Sequence, residues 1–219
     1  MDKETHQWLR RANIARPWNG YVYINELGWR SNNQPMWPEP IEESIVLIGC
    51  SQTFGGSLPY EDTIAHQLEK LSGRQVLNLG WPGSNNHWIW KMIVDIQTHS
   101  TPWAIVVNWT SPVRYYEWHT DRMAMITMPN DTNDKLLFKF MERNPDYLES
   151  LNTYIIQSSR LLCRSNHYVD FTWNTGLQNI NDLYYIKGVD QVSKEDYHWG
   201  PRTNKIASHY VNNQLKDQL

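Results

Sequence analysis

With 219 residues and a formal net charge of -3, the chain is long enough for one α/β domain with both sheet faces covered. It carries no basic excess that would suit nucleic acid as a partner. No run of about 18 apolar residues exists, so no membrane span is expected. The polar start Met1-Asp2-Lys3-Glu4-Thr5-His6 lacks the apolar stretch of a secretory signal, which points to a cytoplasmic protein.

In chain order, residues 1–40 read as an N-terminal arm packed on the domain, rich in Trp, Asn, Arg and Pro, with Tyr21-Val22-Tyr23-Ile24 as a short edge strand. Residues 41–219 read as the domain itself. Ile45 to Ile48 is an unbroken apolar run ending at Gly49, the pattern of a strand buried on both faces of a parallel sheet. Glu61 to Leu71 puts Ile64, Ala65, Leu68 and Leu71 on one helical stripe, with Gly73 as its C-cap. Gln75 to Gly80 is a second strand. Ser84 or Asn85 can cap a helix from His87 to about His99, and Trp103 to Trp109 is a third strand. Residues 114–139 break the rhythm and read as a loop insertion at the carboxyl edge of the sheet. Pro145 to Arg164 is a helix with Leu148, Leu151, Ile155 and Leu161 or Leu162 inward. His167 to Trp173 is a fourth strand, 182–188 gives no clear signal, and a helix from about Thr203 to Leu215 closes the chain. The alternation of strand and helix predicts right-handed crossovers and a parallel sheet.

Three stretches then fall at strand ends or just before the last helix: Gly49-Cys50-Ser51, Asn78-Leu79-Gly80-Trp81-Pro82-Gly83, and Glu195-Asp196-Tyr197-His198. A serine at a strand's carboxyl end, flanked by glycines, is a nucleophile candidate, although the same serine can simply cap the following helix. A serine nucleophile needs a base, and the base needs an acid that fixes its tautomer; one loop carrying both supplies the pair. Cys50 reads as a small buried neighbour of Ser51. The two cysteines make no disulfide framework and suit a reducing compartment. His66, His87, His99, His119, His167 and His209 are not spaced with Cys, Asp or Glu as metal ligands would be, so no metal is expected. Arg114 can anchor an anionic substrate or pair with a structural carboxylate. Twelve tryptophans are more than one interior easily hides. Trp81, Trp109, Trp118 and Trp199 stand in or beside the three stretches and can wall a groove or fill the core.

These stretches resemble the blocks of the SGNH/GDSL hydrolase superfamily, in particular its small phage and bacterial members. The first is Gly49-Cys50-Ser51 with Thr53 and Gly55, the second Asn78-x-Gly80-x-x-Gly83, and the last Glu195-x-x-His198 followed by Gly200-Pro201. Together they cover about residues 44–219, and Asn25-x-x-Gly28-Trp29-Arg30 resembles a family lead-in. The resemblance implies a flavodoxin-like three-layer sandwich with a central parallel sheet in a single domain. It implies a serine esterase without cofactor, with Ser51 as nucleophile and His198 as general base, and with the N–H groups of Ser51 and Gly83 facing the oxyanion.

Two departures from the family pattern leave alternatives open. The family places Asp three residues before the histidine, where this chain has Glu195 with Asp196 beside it; register favours Glu195, and the shorter, stiffer side chain favours Asp196. The third block, Gly-x-Asn-Asp, is here Asn108-Trp109-Thr110-Ser111-Pro112. Ser111 stands where the asparagine donor would be, with Asn108 and Asn85 as other candidate donors. The expected substrate is a small ester, such as acetyl on a carbohydrate. A non-catalytic glycan-binding module and an acyltransferase are the alternatives. The oligomeric state is not encoded in any of these features.

Overall fold

The computed structural model describes residues 41–56, 58–117, 122–125, 139–140 and 143–219. The arm over residues 1–40, its edge strand and Trp118 lie outside the described residues. In chain order the elements are β1 (Ile45–Gly49), α1 (Ser51–Phe54), α2 (Ile64–Ser72), β2 (Val76–Gly80), α3 (Asn86–His99) and β3 (Ala104–Trp109). They continue with β4 (Arg114–Glu117), β5 (Arg122–Met125), α4 (Pro145–Leu162), β6 (His167–Thr172), β7 (Tyr184–Tyr185) and α5 (Pro201–Lys216).

The main sheet has the order β2-β1-β3-β6-β7, and each of its pairings is parallel. Counted along the sheet, this is the flavodoxin-like order 2-1-3-4-5. The expected fold class is therefore the observed one. Because side chains alternate along a strand, each central strand feeds two layers. Val46, Ile48, Ile105, Val107 and Trp109 join Ile89, Met92, Ile93 and Ile96 of α3 and Ile155 and Ile156 of α4 on one face. Ile45, Leu47, Ala104 and Val106 meet Ile64, Ala65 and Leu68 of α2 and Ala207, Val211 and Leu215 of α5 on the other. A continuous apolar run on β1 is what two covered faces require.

Local chemistry sets the helix ends. Thr63 caps α2, its hydroxyl accepting from His66 N at 3.3 Å, so the helix begins three residues later than Glu61 and a 3-10 turn, Tyr60–Asp62, precedes it. Asn85 caps α3, accepting from Trp88 N at 2.9 Å.

The sequence expectations need correction in three places. The insertion after β3 includes a two-stranded antiparallel ribbon, β4 with β5, pairing Arg114 with Met125 and Glu117 with Arg122. Toward the C-terminus of α4 the inward positions are Ser159 and, just past its end, Cys163, whereas Leu161 and Leu162 are exposed. A stripe continuing from Ile155 and Ile156 at three- and four-residue steps passes through those two smaller residues. Residues 184–185 form the short edge strand β7 against Phe171 and Thr172.

Candidate active site

In this topology the strand order reverses between β1 and β3, and the crevice outside their carboxyl ends is where such sheets bind ligands. Ser51 lies there as the first residue of the one-turn helix α1, immediately after β1. The turn is closed by Phe54 N on Cys50 O and Gly55 N on Ser51 O, both at 2.9 Å. It sits close over the strand ends because two glycines allow it. A Cβ at Gly80 would stand 2.5 Å from Phe54 N, and one at Gly49 would stand 2.1 Å from Thr53 Oγ1. Asn78 braces the assembly from below. Its Nδ2 donates to Thr53 O at 3.1 Å and its Oδ1 accepts from Gly80 N at 2.9 Å.

The second block forms a tight turn. Ser84 N donates to Trp81 O at 3.1 Å, Pro82 occupies the first central position, and Gly83 has φ +80°. This is type II turn chemistry. The glycine is required for its left-handed backbone, and not because a side chain would crowd the space, since a Cβ there would meet nothing within 4 Å. The turn's own hydrogen bond uses Ser84 N, and Gly83 is exposed. Trp81 N and Ser84 Oγ both donate to Gly49 O, at 2.9 and 3.0 Å, which knots the second block to the first.

The histidine arrives on a hairpin-like loop. Val192 N donates to His198 O at 2.9 Å and Gly200 N to Asp190 O at 3.2 Å. At its base Asp190 takes over the capping of α5, a helix whose N-cap residue, Gly200, has no side chain to do it. Its Oδ1 accepts from Thr203 N at 2.7 Å and Thr203 Oγ1 at 2.6 Å, and its Oδ2 accepts from Arg202 N at 2.9 Å. Burial alone would raise the Asp190 pKa, but these hydrogen bonds outweigh it and hold the carboxyl below the usual carboxylate range.

The loop separates the two acid candidates. Asp196 Oδ1 accepts from His198 Nδ1 at 2.5 Å and from His198 N at 3.0 Å. Glu195 instead faces Ser193, whose hydroxyl donates to Glu195 Oε2 at 3.0 Å. That hydroxyl also accepts from Glu195 N and Asp196 N. A carboxylate on Nδ1 fixes the proton there and leaves Nε2 as the acceptor nitrogen. The imidazole is 32% exposed.

One contact bridges the first and last blocks. Gln52 Oε1 accepts from Trp199 N at 2.7 Å, across 147 residues of sequence. The residue after Ser51 is thereby fastened to the residue after His198. Among the described residues no hydrogen bond joins Ser51 to His198, and such bonds commonly tighten only when substrate binds. Gln52 was not singled out from the sequence, where only its place beside Ser51 pointed to it.

The candidate oxyanion donors differ sharply in their surroundings. Asn85 is fully buried. Its Oδ1 is committed to capping α3, which turns Nδ2 the other way, and Nδ2 has no protein partner. Asn108 is also fully buried, with neither amide atom paired. Strand alternation puts it on the α2–α5 face with Gly49, its partner in register. Ser111 lies half-buried in the turn after β3, its carbonyl accepting from Arg114 N at 3.3 Å.

The tryptophan wall needs correction. Trp109 is fully enclosed, its Nε1 donating to Asp170 Oδ2 at 3.2 Å. Asp170 is itself held by Arg160 through two contacts of 2.9 and 3.0 Å. Trp81 and Trp199 are 9% and 6% exposed and pack into the two core layers. These indoles fill the interior because their apolar faces gain more there than in a groove. Arg114 Nη1 donates to Ser84 O at 3.0 Å, a backbone partner that neither expectation named, and among the described residues no carboxylate pairs with it.

No group of three or more His, Cys, Asp or Glu residues suited to a metal occurs among the described residues. No helix there is long and apolar enough to cross a membrane.

The fold and its strand-end constellation define an α/β sandwich with a serine turn and a histidine–aspartate loop at one crevice. No protein-family model matches the chain, and no curated protein matches it by sequence. Solved structures do match in fold. One is a GDSL-like lipase from Bacteroides thetaiotaomicron, 13% identical, covering 83% of this chain and 92% of its own, at a TM-score of 0.46. A member of the lipolytic protein G-D-S-L family from Veillonella parvula is 14% identical, covers 80% and 99%, and scores 0.40. An acetyl xylan esterase from Butyrivibrio proteoclasticus is 11% identical, covers 86% and 67%, and scores 0.47.

Proposed function

We propose that this chain is a serine ester hydrolase acting through an acyl-enzyme. The observation that carries the reading is the Gln52–Trp199 hydrogen bond, which joins the serine turn to the loop bearing His198 on Asp196. In the proposed reaction Ser51 Oγ attacks the ester carbonyl carbon while its proton passes to His198 Nε2, and Asp196 supports the imidazolium. The oxyanion receives hydrogen bonds from the N–H groups of Ser51 and Gly83. The first N–H group of a helix lacks an intrahelical acceptor, and Gly83 N stands outside the bond of its turn. Asn85 Nδ2, buried and unpaired, is the side-chain donor we assign in place of the family's third-block asparagine. The leaving alkoxide takes the proton from His198, and water then repeats the sequence to release the acid. Of the two carboxylates, Asp196 has the contact this role needs, and Glu195 does not.

The substrate we propose is a small acyl ester, with acetyl on a carbohydrate as the first case to test. The experiment is labelling with a fluorophosphonate probe, followed by hydrolysis of p-nitrophenyl acetate and of an acetylated sugar. The expected result is modification of Ser51 alone, lost in His198→Ala, with turnover of at least one ester. Absence of labelling, together with glycan binding that survives Ser51→Ala, would replace the enzyme with a binding module on the same fold.

A further inference from the structure

We infer that Arg114 is a positioning residue for the turn that presents Gly83, acting through the carbonyl of Ser84; this rests on the esterase reading above. Ser84 is gripped at every polar group it has. Its N donates to Trp81 O at 3.1 Å, its Oγ to Gly49 O at 3.0 Å, and its O accepts from Arg114 Nη1 at 3.0 Å. The first two grips come from the turn itself and from β1. The third comes from a residue thirty positions on, at the start of the ribbon that follows β3. It is the one grip that ties Ser84 to the third-block side of the crevice.

The next residue but one reinforces the same joint. Asn86 Nδ2 donates to Thr110 O at 3.0 Å, and Thr110 N donates to Asn86 Oδ1 at 2.9 Å. The segments after β2 and after β3 are thus riveted at two places, one on each side of Asn85. Between the rivet at Ser84 and the one at Asn86 lies the buried, unpaired Nδ2 of Asn85, and directly before them the N–H of the exposed Gly83. In this chain the segment after β3 carries Ser111 where the family has its asparagine. Its contribution is a cation behind the turn, holding the second-block donors in place.

The chemistry suits arginine and not lysine. The guanidinium is a rigid planar fork on a partly buried stem, and its Nε is enclosed while Nη1 reaches the carbonyl. A lysine ammonium is a flexible, strongly hydrated point charge that holds a carbonyl less firmly. Without the guanidinium, Ser84 O is left buried and unpaired, a state that drives local rearrangement. A shift of about 1 Å in a positioned group costs about 10²-fold in rate.

The test uses the full chain with Arg114→Lys, Arg114→Met and Arg114→Ala. Fluorophosphonate labelling is followed by kcat and KM on p-nitrophenyl acetate and on the anionic p-nitrophenyl succinate, with thermal melts alongside. The expected result is a kcat lower by about 10–100-fold on both esters in Arg114→Met, with KM within about twofold. Arg114→Lys falls between that variant and the parent, and added methylguanidinium restores part of the kcat of Arg114→Ala. Should Arg114→Met not fold, the Lys variant carries the same kcat-against-KM comparison. A Ser51 that still labels, with kcat unchanged in these variants, overturns the positioning role and leaves the esterase reading standing. A loss confined to KM for the succinate ester overturns it in favour of substrate anchoring. Failure of the parent chain to label overturns both.

Discussion

The two walls of the crevice are built by different means. The wall that carries Ser51 and Gly83 is an extension of the sheet: α1 rests on Gly49 and Gly80, and the Trp81–Ser84 turn hangs from Gly49 O. The wall that carries His198 is a loop that holds itself together. Ser193 folds it at the tip, Asp190 ties its base to the start of α5, and Gln52 bonds it to the opposite wall. Damage to the first wall propagates through close backbone packing, whereas damage to the second stays within a few polar contacts.

The largest expected effect divides the loop against itself. Asp196→Ala should lower kcat on p-nitrophenyl acetate by about 10³–10⁴-fold, as loss of the residue that orients the imidazole does elsewhere. Glu195→Ala should leave it within about twofold. Equal losses at both positions would mean that the carboxylates share the role.

Next comes the sheet wall. Gly80→Ala drives a methyl to 2.5 Å from Phe54 N, which is backbone and cannot swing away. Overpacking of this kind costs about 1–3 kcal/mol, so the urea midpoint should fall and α1 should shift, reducing Ser51 labelling as well. Unchanged labelling would mean that α1 has more room than its contacts suggest.

A smaller change is expected from Asp190→Ala, which removes a capping carboxylate worth about 1 kcal/mol. The melt should drop only modestly, because α5 keeps its apolar face on the core.

The smallest effect distinguishes the walls by acid. Burial lowers the pKa of His87, beside the second block, below 6.5. The unfolded chain therefore takes up that proton first, and stability falls as pH drops below 6.5. Asp190 has the depressed carboxylate of the other wall, so its contribution is complete above about 3.8 and is lost as pH falls through its folded pKa. Urea titrations of His87→Gln should be flatter just below pH 6.5, and those of Asp190→Asn flatter only below 3.8. Identical profiles would contradict this separation.

The strands and most helices were legible because their signals are local. The apolar run Ile45–Ile48, the cap at Asn85 and the strand–helix alternation each carry their own physics, and their order fixes a doubly wound sheet. The position of Ser51 at the end of β1 followed from the same pattern. Harder to read were features settled by partners distant in sequence. Trp109 looked like a groove lining until Asp170, sixty-one residues on, supplied its buried indole with an acceptor. Asp196 and Glu195 are told apart by their side-chain partners, the His198 imidazole for one and the Ser193 hydroxyl for the other, a choice made by the loop's folding and not by residue type. Arg114 meets a carbonyl, and backbone acceptors leave no mark in a sequence.

The Gln52–Trp199 bond also has a consequence for timing. As the chain emerges during synthesis, β1, β2, β3 and β6 can all be laid down before Trp199 has been added. On the proposed reading, Ser51 would meet His198 only once α5 docks. A nascent chain stalled before that point would carry a nearly finished scaffold that is inert toward esters, so competence would arrive in a single late step.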